Sequence, residues 1–326
     1  MTATAPDPRH PQLVCIGEAL VALIAGPRGP LHEATRFSVH VVGAELNVAV
    51  GVARLGHRVS FAGRTGDDPL GMMVVRRLRA ENVGLDHLVI DADAPTGLLL
   101  RNIRDEPPPE VIYYRAGSAG SLLAPNDVQR ILDGLPRGTF VHVSGVTPAL
   151  SGSCRAATAA LAEAARAGDI RLFADVNFRQ RLWSADAAAP VLRELIAAAT
   201  IVTATRQEAQ LLTGEDRASG AALAFVRRGA GTAVIRDRDL GTIVSTQDSP
   251  APVIVPARSP AHAVDTVGAG DAFNAGLLAG VLSGRRVVDA IDQARCCAAA
   301  VVGVVGDIEG LPISRELSEF ADDVRR

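Results

Sequence analysis

Asp265-Thr266-Val267-Gly268-Ala269-Gly270-Asp271 puts glycines and a carboxylate directly ahead of an apolar run, Ala272 to Leu282, with helical spacing. Glycine lets a backbone approach a ligand closely and take positive φ. A helix that starts at such a turn presents unpaired N–H groups and the positive end of its dipole, which suits a phosphate. Asp271 can then take the proton of an alcohol, while Gly268, Ala269 and Gly270 donate N–H groups to a moving phosphoryl charge. The same residues also suit a tight turn in which Asp271 only caps the helix. The stretch is not a Walker A loop, because no Gly-Lys-Ser/Thr follows. Nor is it a dinucleotide fingerprint, which would open an early βαβ unit.

The elements needed to hold this turn can be read from hydrophobic periodicity. Leu13 to Ile24 reads as a buried strand broken at Gly17-Glu18, and Ala44 to Leu55 as a helix ending at Gly56. A short strand at Arg58–Ala62 and an amphipathic helix over Leu70–Asn82 follow. Gly97–Arg104 alternates like a half-exposed strand, Pro107-Pro108-Pro109 breaks it, and Val111–Tyr114 resumes, a hairpin-like pair. Beyond Phe140 short apolar strands at Val141–Val143, Leu172–Asp175, Ile201–Thr203 and Ala233–Ile235 alternate with helical stretches. That rhythm predicts an α/β fold: a doubly wound, mostly parallel sheet with helices on both faces. Ligands of such sheets sit beyond the strand C-termini.

The chain has 326 residues, 48% of them hydrophobic, and a net charge of −3, enough for a large core and wrong for nucleic acid or an anionic membrane as partner. It contains no lysine, so any cationic contact to a substrate comes from arginine, which grips carboxylate or phosphate with two nitrogens. Cys15, Cys154, Cys296 and Cys297 lack metal-ligand spacing and read as buried thiols. Residues 1–10 lack the apolar stretch of a signal peptide and read as a frayed tail, and no run has membrane-spanning length, so the chain reads as cytoplasmic.

The turn, late in a chain of this length, resembles the second signature of the PfkB or ribokinase-like carbohydrate kinases. An early counterpart is present at Gly43-Ala44-Glu45-Leu46-Asn47-Val48-Ala49. Gly66-Asp67-Asp68-Pro69-Leu70-Gly71, Pro95-Thr96-Gly97, Asp175-Val176-Asn177-Phe178-Arg179 and Glu208 continue the match in order. Tyr113-Tyr114-Arg115-Ala116-Gly117-Ser118, Asn177-Phe178-Arg179-Gln180-Arg181-Leu182-Trp183 and Gly306-Asp307-Ile308-Glu309-Gly310 look like the 2-keto-3-deoxygluconate kinase branch.

The resemblance implies one ribokinase-like domain over 11–326, with a small β-lid from segments at about 24–42 and 96–118. It implies ATP and Mg²⁺, allows a monovalent cation near Asp265 held by backbone carbonyls, and makes a homo-oligomer through the lid plausible. Asp271 is then the base, and Gly43, Asn47, Tyr113, Arg115 and Arg179 line the sugar pocket. Asn177, Arg179, Arg236, Gly241, Gly268 and Gly270 face the nucleotide, and Glu208 organises water around Mg²⁺. A sugar acid needs a carboxylate clamp that neutral sugars do not, and Arg115 and Arg179 are the candidates. Arg115 could instead be a surface charge, and Arg179 a partner of Asp175 or a phosphate contact. Of Tyr113 and Tyr114, one should touch substrate and the other pack. Asp307 reads as structural, Asp67 and Asp68 as helix caps, and Trp183 as packing.

Three positions depart from the family pattern: Val42 for glycine, Thr205 for asparagine, and Arg238 for a nucleotide-loop glycine, where positive φ would strain it. The expected activity is phosphorylation of 2-keto-3-deoxygluconate at its terminal hydroxyl. The competing readings are a fructokinase or ribokinase and a weakly catalytic binding protein.

Overall fold

The computed structural model describes residues 10–104, 109–249, 251–257 and 264–317. Residues 1–9 of the expected tail, and Pro107-Pro108, lie outside them. The first apolar run divides at Gly17-Glu18 into β1 (Leu13–Ile16) and β2 (Leu20–Gly26), which enter different sheets. β3 (Arg36–Val42) returns along β2, and α1 (Ala44–Arg54) follows from Gly43. β4 (Val59–Gly66) runs four residues past the expected strand end at Ala62, because Gly63 to Gly66 stay paired to β5 (Gly84–Asp91). Between them lies α2 (Pro69–Ala80). Asp68 caps it by accepting the Gly71 N–H at 2.8 Å, and Pro69 takes the first turn, where its missing N–H is not needed.

β6 (Gly97–Arg101) and β7 (Val111–Tyr114) form the expected hairpin-like pair. The alternating half then runs α3 (Pro125–Asp133), β8 (Thr139–Ser144), α4 (Gly152–Arg166), β9 (Ile170–Asp175), α5 (Ala185–Ala198), β10 (Ile201–Thr205), α6 (Arg206–Thr213), α7 (Ala218–Arg227) and β11 (Thr232–Asp237). β12 (Gly241–Thr246), β13 (Val253–Pro256), α8 (Ala269–Leu282) and α9 (Val287–Val301) complete it.

The large sheet has nine strands in the order β13-β12-β11-β10-β9-β8-β1-β4-β5. β11 through β5 are parallel, and β12 and β13 add antiparallel at one edge. Alternate residues of β1 feed opposite cores, as a strand buried on both faces must. Val14 and Ile16 join α3 to α7, while Leu13 and Cys15 join α1, α2, α8 and α9. From β1 the chain moves outward to β4 and β5, then returns to β8 on the other side. That reversal opens a crevice beyond the ends of β1 and β8. All four cysteines are buried free thiols. No helix of the described residues is long and apolar enough to cross a membrane.

The small sheet has the order β3-β2-β6-β7 and begins at Leu20. β6 pairs parallel with β2 as well as antiparallel with β7, so the edges are β3 and β7. The second partner comes from β2, which reads in sequence as a continuation of β1. One face of this sheet carries Ala22, Leu99 and Tyr113 in register; the other carries Val39, Leu23, Leu100 and Ile112.

Candidate active site

α8 begins at Gly268, whose φ of 81° makes it the helix N-cap. A Cβ there would lie 2.7 Å from the Asp307 carbonyl oxygen, so the turn needs glycine for both conformation and space. Asp271 is therefore three residues past the cap, and the capping alternative for its carboxylate does not hold. No protein acceptor among the described residues takes the N–H of Gly270 or Asp271. These are the donors a phosphate would meet.

Asp271 is buried, and its carboxylate accepts from Asn47 Nδ2 at 2.7 Å. Its pKa is raised to about 8, chiefly by burial and also by the charges of Asp175 and Asp307, against the opposing Asn47 hydrogen bond and Arg179 charge. A carboxylate in that range suits a general base near neutral pH. Asn47 is aimed by α1, whose first turn is set by Gly43; a Cβ at Gly43 would meet the Glu18 carbonyl oxygen at 2.3 Å. In the same turn Glu45 is buried and accepts from Ser144 N–H, Ser144 Oγ and Thr147 Oγ1 at 2.7–2.9 Å, locking α1 to the end of β8.

Asp271 faces a cavity of about 260 Å³ at the crevice beyond β1 and β8. Gly43, Asn47, Gly268, Asp271, Tyr113, Arg115 and Arg179 all contribute to its wall. The sheet side of that wall follows strand periodicity: Leu20 and Ala22, Leu99 and Arg101, Val111 and Tyr113. Tyr114 was expected to pack if Tyr113 faced the ligand. It is instead 60% exposed, on the edge strand β7 of the small sheet.

The arginines differ in how far the protein already satisfies them. Arg115 lies against Glu18, donating from Nε at 2.6 Å and from Nη2, and its guanidinium sits 5.4 Å from the Tyr113 ring centroid. It is thus a cavity residue, not a free surface charge. Glu18 is buried and also accepts Ser118 Oγ. Among the described residues Arg179 makes no side-chain hydrogen bond or ion pair, and the Asp175 it was weighed against is held by Thr203 Oγ1 at 2.9 Å and Arg236 at 3.5 Å. Asp307, expected as structural, reaches the cavity wall, where it accepts Asn47 Nδ2 at 3.4 Å.

The remaining expected nucleotide residues lie outside this wall, at the ends of β9, β10 and β11. Asn177 has φ 37° in the loop after β9. The next N–H, of Phe178, is accepted by Glu208 at 2.9 Å, while the other Glu208 oxygen takes Thr205 N–H and Oγ1 in a capping box on α6. Thr205 is thus a working N-cap in the place of asparagine. Arg236 Nη1 would stand 2.8 Å from a Cβ on Gly270, so it borders the anion turn, as Gly268 and Ala269 do. Gly241 has φ 109° at the start of β12. Arg238 does not have positive φ, so the expected strain is absent: the turn bends on Asp237, which accepts the Asp239 and Leu240 N–H groups. Val42 is buried in β3 and lines the cavity. Trp183 is buried in the core, as expected.

Sequence reasoning missed Glu18 and Arg101. The signal for Arg101 was present: it stands two residues from Leu99 on an alternating strand, which puts a charge on the inward face. Glu18 carried no such signal, because it lies in the break between two strands.

A buried carboxylate at a helix N-terminus, over the crevice of a doubly wound sheet, suits phosphoryl transfer to a hydroxyl, and comparison with known proteins gives the family. Residues 10–314 match the pfkB family carbohydrate kinase model, and the chain belongs to that family. It is a carbohydrate kinase with the ribokinase-like α/β fold. It is 33% identical to 2-dehydro-3-deoxygluconokinase of Bacillus subtilis, with 94% of each chain covered. It is 36% identical to the Thermoproteus tenax protein of the same name, covering 94% of this chain and 93% of that one. A Vibrio cholerae fructokinase solved with fructose, ADP and calcium superposes with a TM-score of 0.82 at 27% identity, covering 95% and 98%.

Proposed function

We propose that the chain transfers the terminal phosphoryl group of ATP to the terminal hydroxyl of a sugar acid, with 2-keto-3-deoxygluconate as substrate and its 6-phosphate as product. The observation that carries this reading is a single cavity holding Asp271 at one end and Arg115 and Arg179 in its wall. Asp271 removes the hydroxyl proton as the oxygen attacks phosphorus, and the N–H groups at the start of α8 stabilise the charge that builds on the transferring group. Arg179, which makes no hydrogen bond or ion pair among the described residues, receives the carboxylate together with Arg115. Leu20, Ala22, Leu99 and Val111 form an apolar stretch of wall that suits a substrate carbon lacking its hydroxyl. The relatives in Bacillus and Thermoproteus support the same substrate.

The ends of β9 to β11 suit a nucleotide: Arg236 and the α8 N–H groups are donors, and Glu208 sits beside Asn177. Mg²⁺ bound there would take phosphate oxygens and water, with Glu208 placed to order that water. A monovalent ion near Asp265 would rely on backbone carbonyls, because Arg101 already holds that carboxylate at 2.6 Å. Val39, Ile112 and Tyr114, 53%, 40% and 60% exposed on the outer sheet face, support a homo-oligomer formed through the small sheet.

A coupled kinase assay across sugar acids and neutral sugars tests the substrate. The acid should have the highest kcat/KM; fructose or ribose ahead of every acid would contradict the proposal.

A further inference from the structure

Arg101 is an arginine of the cavity wall to which neither the family pattern nor the expected clamp gives a task. It lies on the inward face of β6, is 2% exposed, and lines the cavity that holds Asp271. Its two terminal nitrogens are unequal. Nη2 donates to Asp265 at 2.6 Å and to Asp307 at 3.4 Å. Nη1 is buried and has no hydrogen-bond partner among the described residues. A buried charged donor left unpaired is costly, and such groups are nearly always satisfied. The pair on Nη2 fixes the plane of the guanidinium, so the orphaned nitrogen is held in one direction rather than free to search.

We propose that Arg101 is a substrate-binding residue, with Nη1 donating to an oxygen of the bound sugar acid while Nη2 stays anchored on Asp265. This rests on the cavity being the sugar site. It gives Arg101 a double task that lysine cannot perform, since one ammonium cannot reach both the anchor and the ligand in fixed directions. It also means that the first residue of the catalytic turn and the sugar are held by one side chain of the small sheet.

The test is calorimetric binding of 2-keto-3-deoxygluconate and, separately, of a non-hydrolysable ATP analogue to the full chain. Arg101→Lys keeps a charge on Asp265 and removes the second nitrogen. Sugar-acid affinity should fall about 10- to 100-fold, the worth of a hydrogen bond to a charged group, with nucleotide affinity and melting temperature near wild type. Arg101→Gln combined with Asp265→Asn, compared with Asp265→Asn alone, removes both buried charges together and should show the same selective loss. Wild-type sugar affinity in either folded variant would overturn the proposal. Wild-type chain that binds fructose but no sugar acid would instead overturn the substrate reading, and fructose would then be the ligand on which the variants are judged.

Discussion

The two ends of the cavity are built in opposite ways. The Asp271 end comes from one continuous stretch: a glycine cap, two N–H groups with no acceptor among the described residues, and a carboxylate, within four residues of chain. The other end, proposed for the sugar, is assembled from β2, β6, β7 and the loop after β9, side chain by side chain. A local turn gives the same chemistry wherever it occurs, because backbone N–H groups and one carboxylate are all it needs. An assembled wall gives selectivity, since each strand can change its inward residue without disturbing the turn. Reaction type and substrate choice should therefore separate under mutation.

The largest effect should come from the turn. Asp271→Asn should lower kcat on the order of 10²- to 10⁴-fold for every substrate, by the same factor for acids and neutral sugars. Wild-type kcat/KM of the free enzyme should rise through about pH 8, where Asp271 ionises. Stability moves the other way. The folded chain keeps a proton that an unfolded carboxylate has already released. The contribution of this site is thus complete below the ordinary carboxylate range and lost as pH rises through about 8. Asp271→Asn should match wild type in denaturant melts in acid and exceed it at pH 9. Equal stability at both would show that the carboxylate is not desolvated.

Gly268→Ala comes next. It forces a Cβ to 2.7 Å from the Asp307 carbonyl at φ 81°, and should cost about 1–3 kcal/mol in urea unfolding together with activity on all substrates. Loss of activity on acids alone would place Gly268 with the sugar wall instead. The smallest effect serves as a control. Asp68→Ala removes the α2 cap and should cost about 1 kcal/mol in the same unfolding measurement, with kinetic constants unchanged.

The same division governs what could be read from sequence. The glycine turn that opens α8 was legible because its parts are neighbours in the chain and glycine has few substitutes at positive φ. The doubly wound sheet was legible because strands buried on both faces are short apolar runs between helices. The small sheet was only half legible. β2 looked like more of β1, and nothing local shows that it crosses to a second sheet and makes β6 an interior strand. Arg115 could be nominated from its motif, but its pairing with Glu18, 97 residues away, is a product of the fold. Asp307 was underrated for the same reason: its contacts with Asn47 and Arg101 span more than 200 residues.

One ratio tests the division most directly: kcat/KM for 2-keto-3-deoxygluconate over kcat/KM for fructose, in wild type and in Arg115→Ala. The expected result is a ratio above one in wild type. In the variant it should fall about 10- to 100-fold through a higher KM for the acid, with fructose turnover unchanged. A ratio that is the same in both chains, or a wild type that prefers fructose, would contradict the assignment of substrate choice to the small sheet.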